Sequence, residues 1–453
     1  MHLLASFSGS QSLIRCLAHK RLISNLIIPV LLSCAIGHAQ TTIPDTPAGK
    51  VLRAWIEAFN SGDRSKIEDY IKTYDPQQSV QRMMGFHSQT GGFDLLAIES
   101  ADLLLIKFRV REKTSPTVAI GSIQLKSDKS GVVESFDLRA IPPGAVVENI
   151  KVDAAKRQQL IDSVVRNLNE FYVYPDLAQT MANAIRVNQK RGDYDAITDP
   201  DAFANRLTKD LQGISHDKHL GVNYSPVKLP PDGEKPSPEQ EAQFRKMLER
   251  TNCTFEKVEV LPRNIGYLKF NAFPDPTLCG ATVVAAMNFL AHVDAIIFDL
   301  RENSGGDPRM VEVVSSYLFD KPTHLNDLYN RKDDFTTQYW TLPYVPGATL
   351  ADKPAFVLTS KNTFSGAEEF TYNLKNLKRA TVVGEVTGGG AHPVSGHRID
   401  EHFTIGVPFA RAVNPISKKN WEGTGVAPDV QVKAADALEK AEELALSKDT
   451  LQK

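Results

Sequence analysis

Ser365 is the residue of this sequence that best fits the part of a nucleophile. It lies in TSKNTFSGAEEF (residues 359–370), between the apolar run AFVLT and a stretch whose apolar residues recur at helical spacing. A serine at the start of a helix presents its hydroxyl beside free backbone N–H groups and the positive end of the helix dipole, which suits nucleophilic attack and oxyanion stabilisation. The alternative is an ordinary helix N-cap, with Glu368 completing a capping box three residues later.

A glycine pair further upstream supplies candidate oxyanion donors. The segment DLRENSGGDPRM (residues 299–310) reads as a strand that ends in Gly305 and Gly306, so its backbone can approach a ligand closely. The N–H of Gly305 or Gly306, together with that of Gly366, is therefore predicted to form an oxyanion hole. As a lone feature, a glycine pair more often marks a tight turn.

The proton of the serine needs an acceptor, and the segment GISHDKHLGVNY (residues 213–224) offers two histidines. A neutral imidazole that titrates near pH 6.5 can accept the serine proton and return it to a leaving group. His219 directly precedes an apolar run, and His216 is its rival. The two histidines could instead bind a metal, but no third ligand stands at zincin spacing, and neither a metal nor another cofactor is expected.

Five motifs in order along the chain give a specific resemblance: GYLKF, DLRENSGGDP, TSKNTFSGAEEF, VVGEVTGGG and WEGTGVAPDV. They resemble the C-terminal-processing (tail-specific) serine proteases, and among these the branch that contains the tricorn protease core and interphotoreceptor retinoid-binding protein. The resemblance covers about residues 150–440 and includes no segment that reads as a PDZ domain. It implies an α/β fold with a layered, crotonase-like (ClpP/crotonase-type) protease core.

The resemblance also narrows the choice of base. Lysine-dependent relatives carry Gly-Glu-x-Thr-x-Gly-Lys-Gly, whereas here Gly390 occupies the place of the lysine, so a Ser-Lys dyad is excluded. The other branch uses a histidine in an Asp-x-His motif followed by a strand, which favours His219. In that branch a late glutamate completes the site, and Glu422 in NWEGTGVAPD matches it. The tricorn arrangement has a serine directly before the histidine, where this chain has Lys218, so Glu422 could instead bind a substrate amine or form a structural salt bridge.

The hydrophobic pattern predicts how the chain is organised around these residues. From residue 264 onward, apolar strands alternate with helices, which is typical of an α/β core with a largely parallel sheet. We assign residues 214–440 to this protease core and residues 150–213 to a small helical subdomain. Residues 45–142 carry an amphipathic helix and then β-rich runs, which predicts an α+β accessory domain whose pattern resembles the cone-shaped fold of nuclear transport factor 2.

The N-terminal segment and the cysteines indicate the compartment. Lys20 and Arg21 precede a short apolar run that ends in small residues, so residues 1–39 are predicted to be a signal peptide cut after Ala39. LLSC at 31–34 also resembles a lipoprotein box, in which Cys34 would carry a lipid anchor. Export to the periplasm or the extracellular medium would allow Cys253 and Cys279 to pair, although they could also be two separate small hydrophobic residues.

Charge and composition limit the partners. The chain has 52 Lys+Arg and 54 Asp+Glu among 453 residues, and no long basic block, so no nucleic acid partner is expected. No transmembrane segment is expected in the mature form. The sequence therefore predicts an exported serine peptidase that acts on a peptide or protein through Ser365, His219 and Glu422. The alternative is a carrier of retinoid-like or other hydrophobic ligands on the same fold, without catalysis.

Overall fold

The computed structural model describes residues 42–447 apart from 128, 129, 143 and 232, so the predicted signal peptide and Cys34 lie outside the described residues. The first unit has three helices and four strands: α1 (Pro47–Ser61), α2 (Arg64–Tyr74), α3 (Val80–Thr90), β1 (Phe93–Ala101), β2 (Leu105–Glu112), β3 (Val118–Leu125) and β4 (Val133–Ala140). The strands form an antiparallel sheet in the order β1-β2-β3-β4.

Local sequence signals account for the start of α1 and for its packing. The Thr46 side chain accepts the Gly49 N–H, and Pro47 takes the first helical position, where no N–H is needed. The apolar face of the helix, including Trp55 and Phe59, is buried against the sheet. Helices on an antiparallel sheet are the α+β arrangement that the sequence predicts for this part of the chain.

Three further helices follow: α4 (Ala154–Phe171), α5 (Pro175–Lys190) and α6 (Pro200–Ser215). The remaining elements are β5 (Gly221–Tyr224), α7 (Pro238–Arg250), β6 (Phe255–Leu261), β7 (Ile265–Phe270), α8 (Pro276–Phe289), β8 (Ala295–Asp299), α9 (Pro308–Ser316), β9 (His324–Asn330), β10 (Phe335–Trp340), β11 (Ala355–Thr359), α10 (Gly366–Asn376), β12 (Thr381–Gly384), β13 (Val394–Arg398), β14 (Phe403–Pro408), β15 (Ala410–Val413), β16 (Val430–Gln431) and α11 (Ala437–Ala445).

A six-stranded sheet in the order β16-β12-β11-β8-β7-β6 forms the centre of the second unit. All neighbours in it are parallel except β6 and β7, which form an antiparallel edge pair. Helices α8, α9 and α10 pack on one face, and α11 covers the other. Every residue of β8 and β11 is buried, as expected for strands covered on both faces. The predicted α/β class with a largely parallel sheet is confirmed.

Two small antiparallel sheets complete the unit, in the orders β13-β14-β5 and β10-β9-β15. Strand β5 pairs with β14, so the chain just after α6 is fixed by a strand far along the sequence. Leu220 and Val222 share one hydrophobic cluster with helices α4 to α6 and with Phe403 and Ile405. The core of the helical region therefore continues across residues 213–214, where the sequence analysis places a boundary.

The structure joins Cys253 and Cys279 in a disulfide, which links the turn before β6 to α8. This is one of the two arrangements that the sequence leaves open. Among the described residues, no helix is both long enough and apolar enough to cross a membrane.

Candidate active site

Ser365 lies in the turn between β11 and α10, immediately before the first residue of the helix. Its backbone has φ 54° and ψ −122°, whereas an ordinary N-cap residue is extended with negative φ. Positive φ is uncommon in a residue with a side chain, and such strained turns are concentrated at functional sites. The conformation favours the nucleophile over the simple N-cap.

Glu368 fixes the Ser365 turn through hydrogen bonds to its carboxylate. Its carboxylate is fully buried and accepts four hydrogen bonds, from Ser365 N at 2.9 Å, Gly390 N at 2.8 Å, Gly389 N at 2.7 Å and Thr387 Oγ1 at 2.5 Å. Burial raises the pKa of Glu368, and these four donors oppose the shift. The residue that the sequence suggests only as part of a capping box thus fixes the serine turn to the glycine segment after β12.

The two glycines after β8 differ in their backbone hydrogen bonds. Gly305 N–H donates to Oδ1 of Asn303 at 2.9 Å. Within the part of the chain that the structure describes, no acceptor takes the N–H of Gly306 or Gly366. The Gly306 nitrogen lies 3.0 Å from where a Cβ on Gly366 would be, so these two donors are neighbours. Of the three predicted donors, Gly306 and Gly366 are available to an oxyanion.

Gly305 has a different part in the geometry. It has φ 96°, and a Cβ at this position would lie 2.5 Å from Gly366 N and 2.7 Å from Ser365 Cβ. Real Cβ atoms do not approach other atoms this closely, so only glycine lets the loop press against the serine turn.

His219 lies beside the same turn, just before β5. Its ring packs on the ring of Phe364, the residue before Ser365, with centroids 4.7 Å apart. Its Nδ1 is buried, has no hydrogen-bond partner and lies 3.8 Å from Asp217 Oδ1, which accepts the His219 backbone N–H at 3.0 Å. Burial lowers the pKa of His219, while Asp217 opposes and His392 adds to that shift. Among the described residues, no hydrogen bond joins Ser365 to His219 directly.

Two aromatic side chains fill the space beside Gly390. A Cβ on Gly390 would lie 2.6 Å from His219 Cε1 and 2.3 Å from Phe364 Cζ. The His219 ring therefore occupies the space into which a side chain at position 390 would extend. His219 in this position and a lysine at position 390 exclude each other.

Neither His216 nor Lys218 forms a hydrogen bond with Ser365 or with the His219 ring among the described residues. His216 is the exposed C-cap of α6, with φ 57°. Lys218 donates from Nζ to the Gly388 carbonyl oxygen at 2.6 Å, so it fixes the His219 loop to the glycine segment and does not contact the imidazole through a hydrogen bond.

A buried cluster that sequence reasoning missed lies behind His219. Asp217 Oδ2 is 2.6 Å from His392 Nδ1, and Glu422 Oε2 is 3.4 Å from the same nitrogen. The Tyr174 hydroxyl lies 3.4 Å from His392 Nε2. Asp217 stands in the Asp-x-His motif, where the sequence analysis gives a role only to the histidine, and His392 stands two residues after the last glycine of the run, Gly390. One potential ligand atom from each of Asp217, His392 and Glu422 lies within 4.8 Å of the other two, and such a set of donors could also hold a metal ion.

Glu422 belongs to this cluster. Its Oε2 accepts the Ala391 N–H at 2.5 Å, and its buried Oε1 has no partner among the described residues. Burial raises the pKa of Glu422 to about 7, although His392 opposes the shift. No hydrogen bond joins Glu422 to His219 in the described residues, and the connection between them runs through His392 and Asp217.

Family models match two adjacent parts of this chain. Peptidase family S41 matches residues 264–432, which include Ser365, the glycine pair Gly305 and Gly306, and Glu422. The N-terminal domain of Peptidase_S41 in eukaryotic interphotoreceptor retinoid-binding protein matches residues 148–262, which include His219. The resemblance drawn from the five motifs is thereby confirmed.

Individual relatives match more distantly. Carboxyl-terminal-processing peptidase 2, chloroplastic, of Arabidopsis thaliana is 31% identical over 170 residues, which are 36% of this chain and 31% of that protein. A solved structure of a putative peptidase from Parabacteroides merdae is 17% identical with a TM-score of 0.47, covering 64% of this chain and 97% of the other. The tricorn protease structure is 13% identical with a TM-score of 0.40, and the match covers 78% of this chain and 41% of the other.

Both TM-scores lie below 0.5, so the assignment rests on the sequence matches. The two family models together span well over half of the chain. The chain belongs to peptidase family S41, a family of serine-type peptidases.

Proposed function

We propose that this chain is an exported serine peptidase that hydrolyses peptide bonds through an acyl-enzyme on Ser365, with His219 as the general base. The observation that carries the proposal is the position of the His219 ring, which fills the space beside Gly390 and packs on the residue before Ser365. A titratable base is thus next to a serine in a strained turn. The free N–H groups of Gly306 and Gly366 lie next to each other at the same turn.

In the proposed reaction, Ser365 Oγ attacks the scissile carbonyl carbon as His219 Nε2 takes the hydroxyl proton. The carbonyl oxygen becomes an oxyanion, which accepts hydrogen bonds from the N–H groups of Gly306 and Gly366. The imidazolium then gives its proton to the leaving amine, and the acyl-enzyme forms as the C–N bond breaks. Water attacks the ester, with His219 again accepting a proton, and Ser365 is restored when the carboxylic acid leaves.

Asp217 is the group that supports His219 in this scheme. The His219 Nδ1 has no other partner and lies 3.8 Å from Asp217 Oδ1, so a small shift would form a hydrogen bond when the ring becomes charged. His392 binds the other carboxylate oxygen of Asp217. Glu422 therefore acts in this scheme as a positioning residue, through His392 and Asp217.

Export is the finer part of the proposal. It is supported by the signal-like segment before residue 40 and by the disulfide between Cys253 and Cys279, because disulfides persist in oxidising compartments. N-terminal sequencing of the protein recovered from its native compartment tests it. A mature start near residue 40 supports export, and an intact Met1 in a cytosolic fraction refutes it.

Labelling with a fluorophosphonate probe tests the catalytic part. The wild type should be labelled at Ser365, Ser365→Ala should not be labelled, and His219→Asn should lose most of its labelling rate. The matched control is His216→Asn, because His216 is an exposed C-cap with positive φ, a conformation that asparagine tolerates. A folded wild type without labelling or peptide turnover would overturn the proposal and leave the non-catalytic carrier.

A further inference from the structure

Helices α1, α2 and α3 of the first unit border a cavity together with strand β4. The cavity has a volume of about 220 Å³, and its apolar and aromatic lining residues are Trp55, Phe59, Tyr70, Met83, Phe86 and Phe136. Because a cavity of roughly 150 Å³ in a protein interior admits benzene, this one has room for a single ring with one or two substituents. Aromatic walls suit such a ring, since they can stack on its face or meet its edge.

The wall of this cavity includes a hydroxyl group without a hydrogen-bond partner. Tyr70 is 4% exposed, and its hydroxyl is buried and unpaired among the described residues. Buried polar groups in native proteins nearly always have partners, so an unpaired hydroxyl on a cavity wall points to an occupant that supplies one. A phenolic hydroxyl can donate a hydrogen bond to such an occupant or accept one from it.

The cavity opens to solvent beside α3. Phe86 is 38% exposed and the Arg82 side chain is 43% exposed, and both residues line the cavity. Trp55 and Tyr70, on the other two helices, are buried. A small molecule can therefore enter past Phe86 and reach the Tyr70 hydroxyl.

Arg82 connects this cavity to the loops around Ser365. Its Nε lies 3.2 Å from Glu302 Oε2, and Glu302 belongs to the loop after β8. The other carboxylate oxygen of Glu302 accepts a hydrogen bond from Asn362 Nδ2 at 3.3 Å, and Asn362 belongs to the turn before Ser365. One carboxylate thus joins Arg82 to both loops.

Glu302 also lies next to the residue that holds these loops together. Asn303 Oδ1 accepts the Gly305 N–H at 2.9 Å, and the Asn303 backbone carbonyl accepts the Phe364 N–H at 3.0 Å. A molecule that packs on the aliphatic stem of Arg82 would restrict its guanidinium to the position on Glu302. That restriction would make local opening of the two loops less frequent.

We propose that this cavity binds a small aromatic molecule with one hydrogen-bonding group, and that the bound molecule steadies the loops on either side of Ser365 through Arg82. The ring lies between the aromatic walls, and its polar group pairs with the Tyr70 hydroxyl. The first unit is then a ligand-binding module that acts on the site of the second unit, a role that goes beyond the proposed peptidase function.

Two probes of equal size test the binding. p-Cresol and p-xylene have the same shape, but only p-cresol carries a hydroxyl. In ligand-observed NMR titrations of the full chain, p-cresol should bind saturably, and its affinity relative to p-xylene should fall by at least about fivefold in Tyr70→Phe, because a hydrogen bond is lost. The control is Tyr74→Phe, a change of the same kind on α2 outside the cavity wall, which should keep the wild-type ratio.

Two outcomes would overturn the binding site: no saturable binding of p-cresol to the wild type, or an unchanged ratio in Tyr70→Phe. If Tyr70→Phe does not fold, nuclear Overhauser effects on the wild type decide. Contacts between p-cresol and the Met83 methyl group support the site, and their absence at saturation refutes it.

Hydrogen exchange tests the connection to Ser365. Saturation with p-cresol should slow the exchange of the Gly305 and Phe364 amides by at least about threefold in the wild type. Glu302→Gln removes the ion pair with Arg82 and leaves the cavity wall intact, so it should bind p-cresol equally and lose this effect. Unchanged exchange in the saturated wild type, or the same slowing in Glu302→Gln, refutes the connection. Neither measurement requires turnover, so a failure of the proposed peptidase function leaves both results standing.

Discussion

Adding one methyl group at Gly390 should disable the site without removing any catalytic atom. The new Cβ would lie 2.6 Å from His219 Cε1 and 2.3 Å from Phe364 Cζ. Carbon atoms in contact prefer about 3.5–4.0 Å, so His219 must move by about 1 Å or more. A displacement of that size can cost about 100-fold in rate, since proton transfer needs the base within hydrogen-bond reach of the serine.

The assay is kcat/KM on a peptide substrate for Gly390→Ala, with thermal unfolding measured in parallel. We expect a loss of about 100-fold and a destabilisation of about 1–3 kcal/mol, which is typical of overpacking. The control is Gly396→Ala on β13, where an added Cβ has no atom within 4 Å. A Gly390→Ala variant within about threefold of wild-type kcat/KM would refute the reasoning that His219 and a side chain at position 390 compete for space.

Four further predictions follow from the site. Asp217→Asn should lower kcat by more than about tenfold with little change in KM, because Asp217 supports the imidazolium that forms in the transition state; a raised KM with unchanged kcat would instead indicate a binding role. Only the neutral imidazole of His219 accepts a proton and burial lowers its pKa, so the Glu422→Gln variant, which lacks the carboxyl that titrates near 7, should keep its remaining activity level at neutral pH and lose it in acid with an apparent pKa below 6.5; an acid limb above pH 7 in that variant would contradict this. Glu422→Gln should lower kcat by more than about tenfold, and an unchanged kcat would leave Glu422 with only a structural role. Relative to the wild type, the same variant should be more stable at pH 8 than at pH 5, because a carboxyl whose folded pKa is raised to about 7 contributes stability at low pH that is lost as the pH rises through that value. The disulfide between Cys253 and Cys279 should stabilise the mature protein by about 2–4 kcal/mol, and mass spectrometry after purification without reductant should find no free thiol at either position.

Much of the frame could be predicted from the sequence because its signals are local. The buried strands β8 and β11 are short apolar runs bounded by polar residues, and α10 has an apolar face at helical spacing. The glycine pair after β8 and the serine before α10 stand at the ends of neighbouring parallel strands, so their meeting follows from the strand pairing. That position 390 is a glycine and not the lysine of the lysine-dependent relatives is also read directly from the sequence.

The partners of these groups were decided by the tertiary structure alone. Nothing near Asp217 in the sequence indicates that its carboxylate binds His392, because the two residues come together only when β5 pairs with β14 and the glycine segment folds back over Glu368.

The oxyanion donors show the same division at the level of single N–H groups. The sequence alone left Gly305 and Gly306 as equal candidates, and the folded chain separates them because Asn303 takes the Gly305 N–H. Periodicity and turn chemistry report on a residue and its near neighbours along the chain. Which groups are left without a partner depends on long-range contacts, and these exist only once the whole chain has packed.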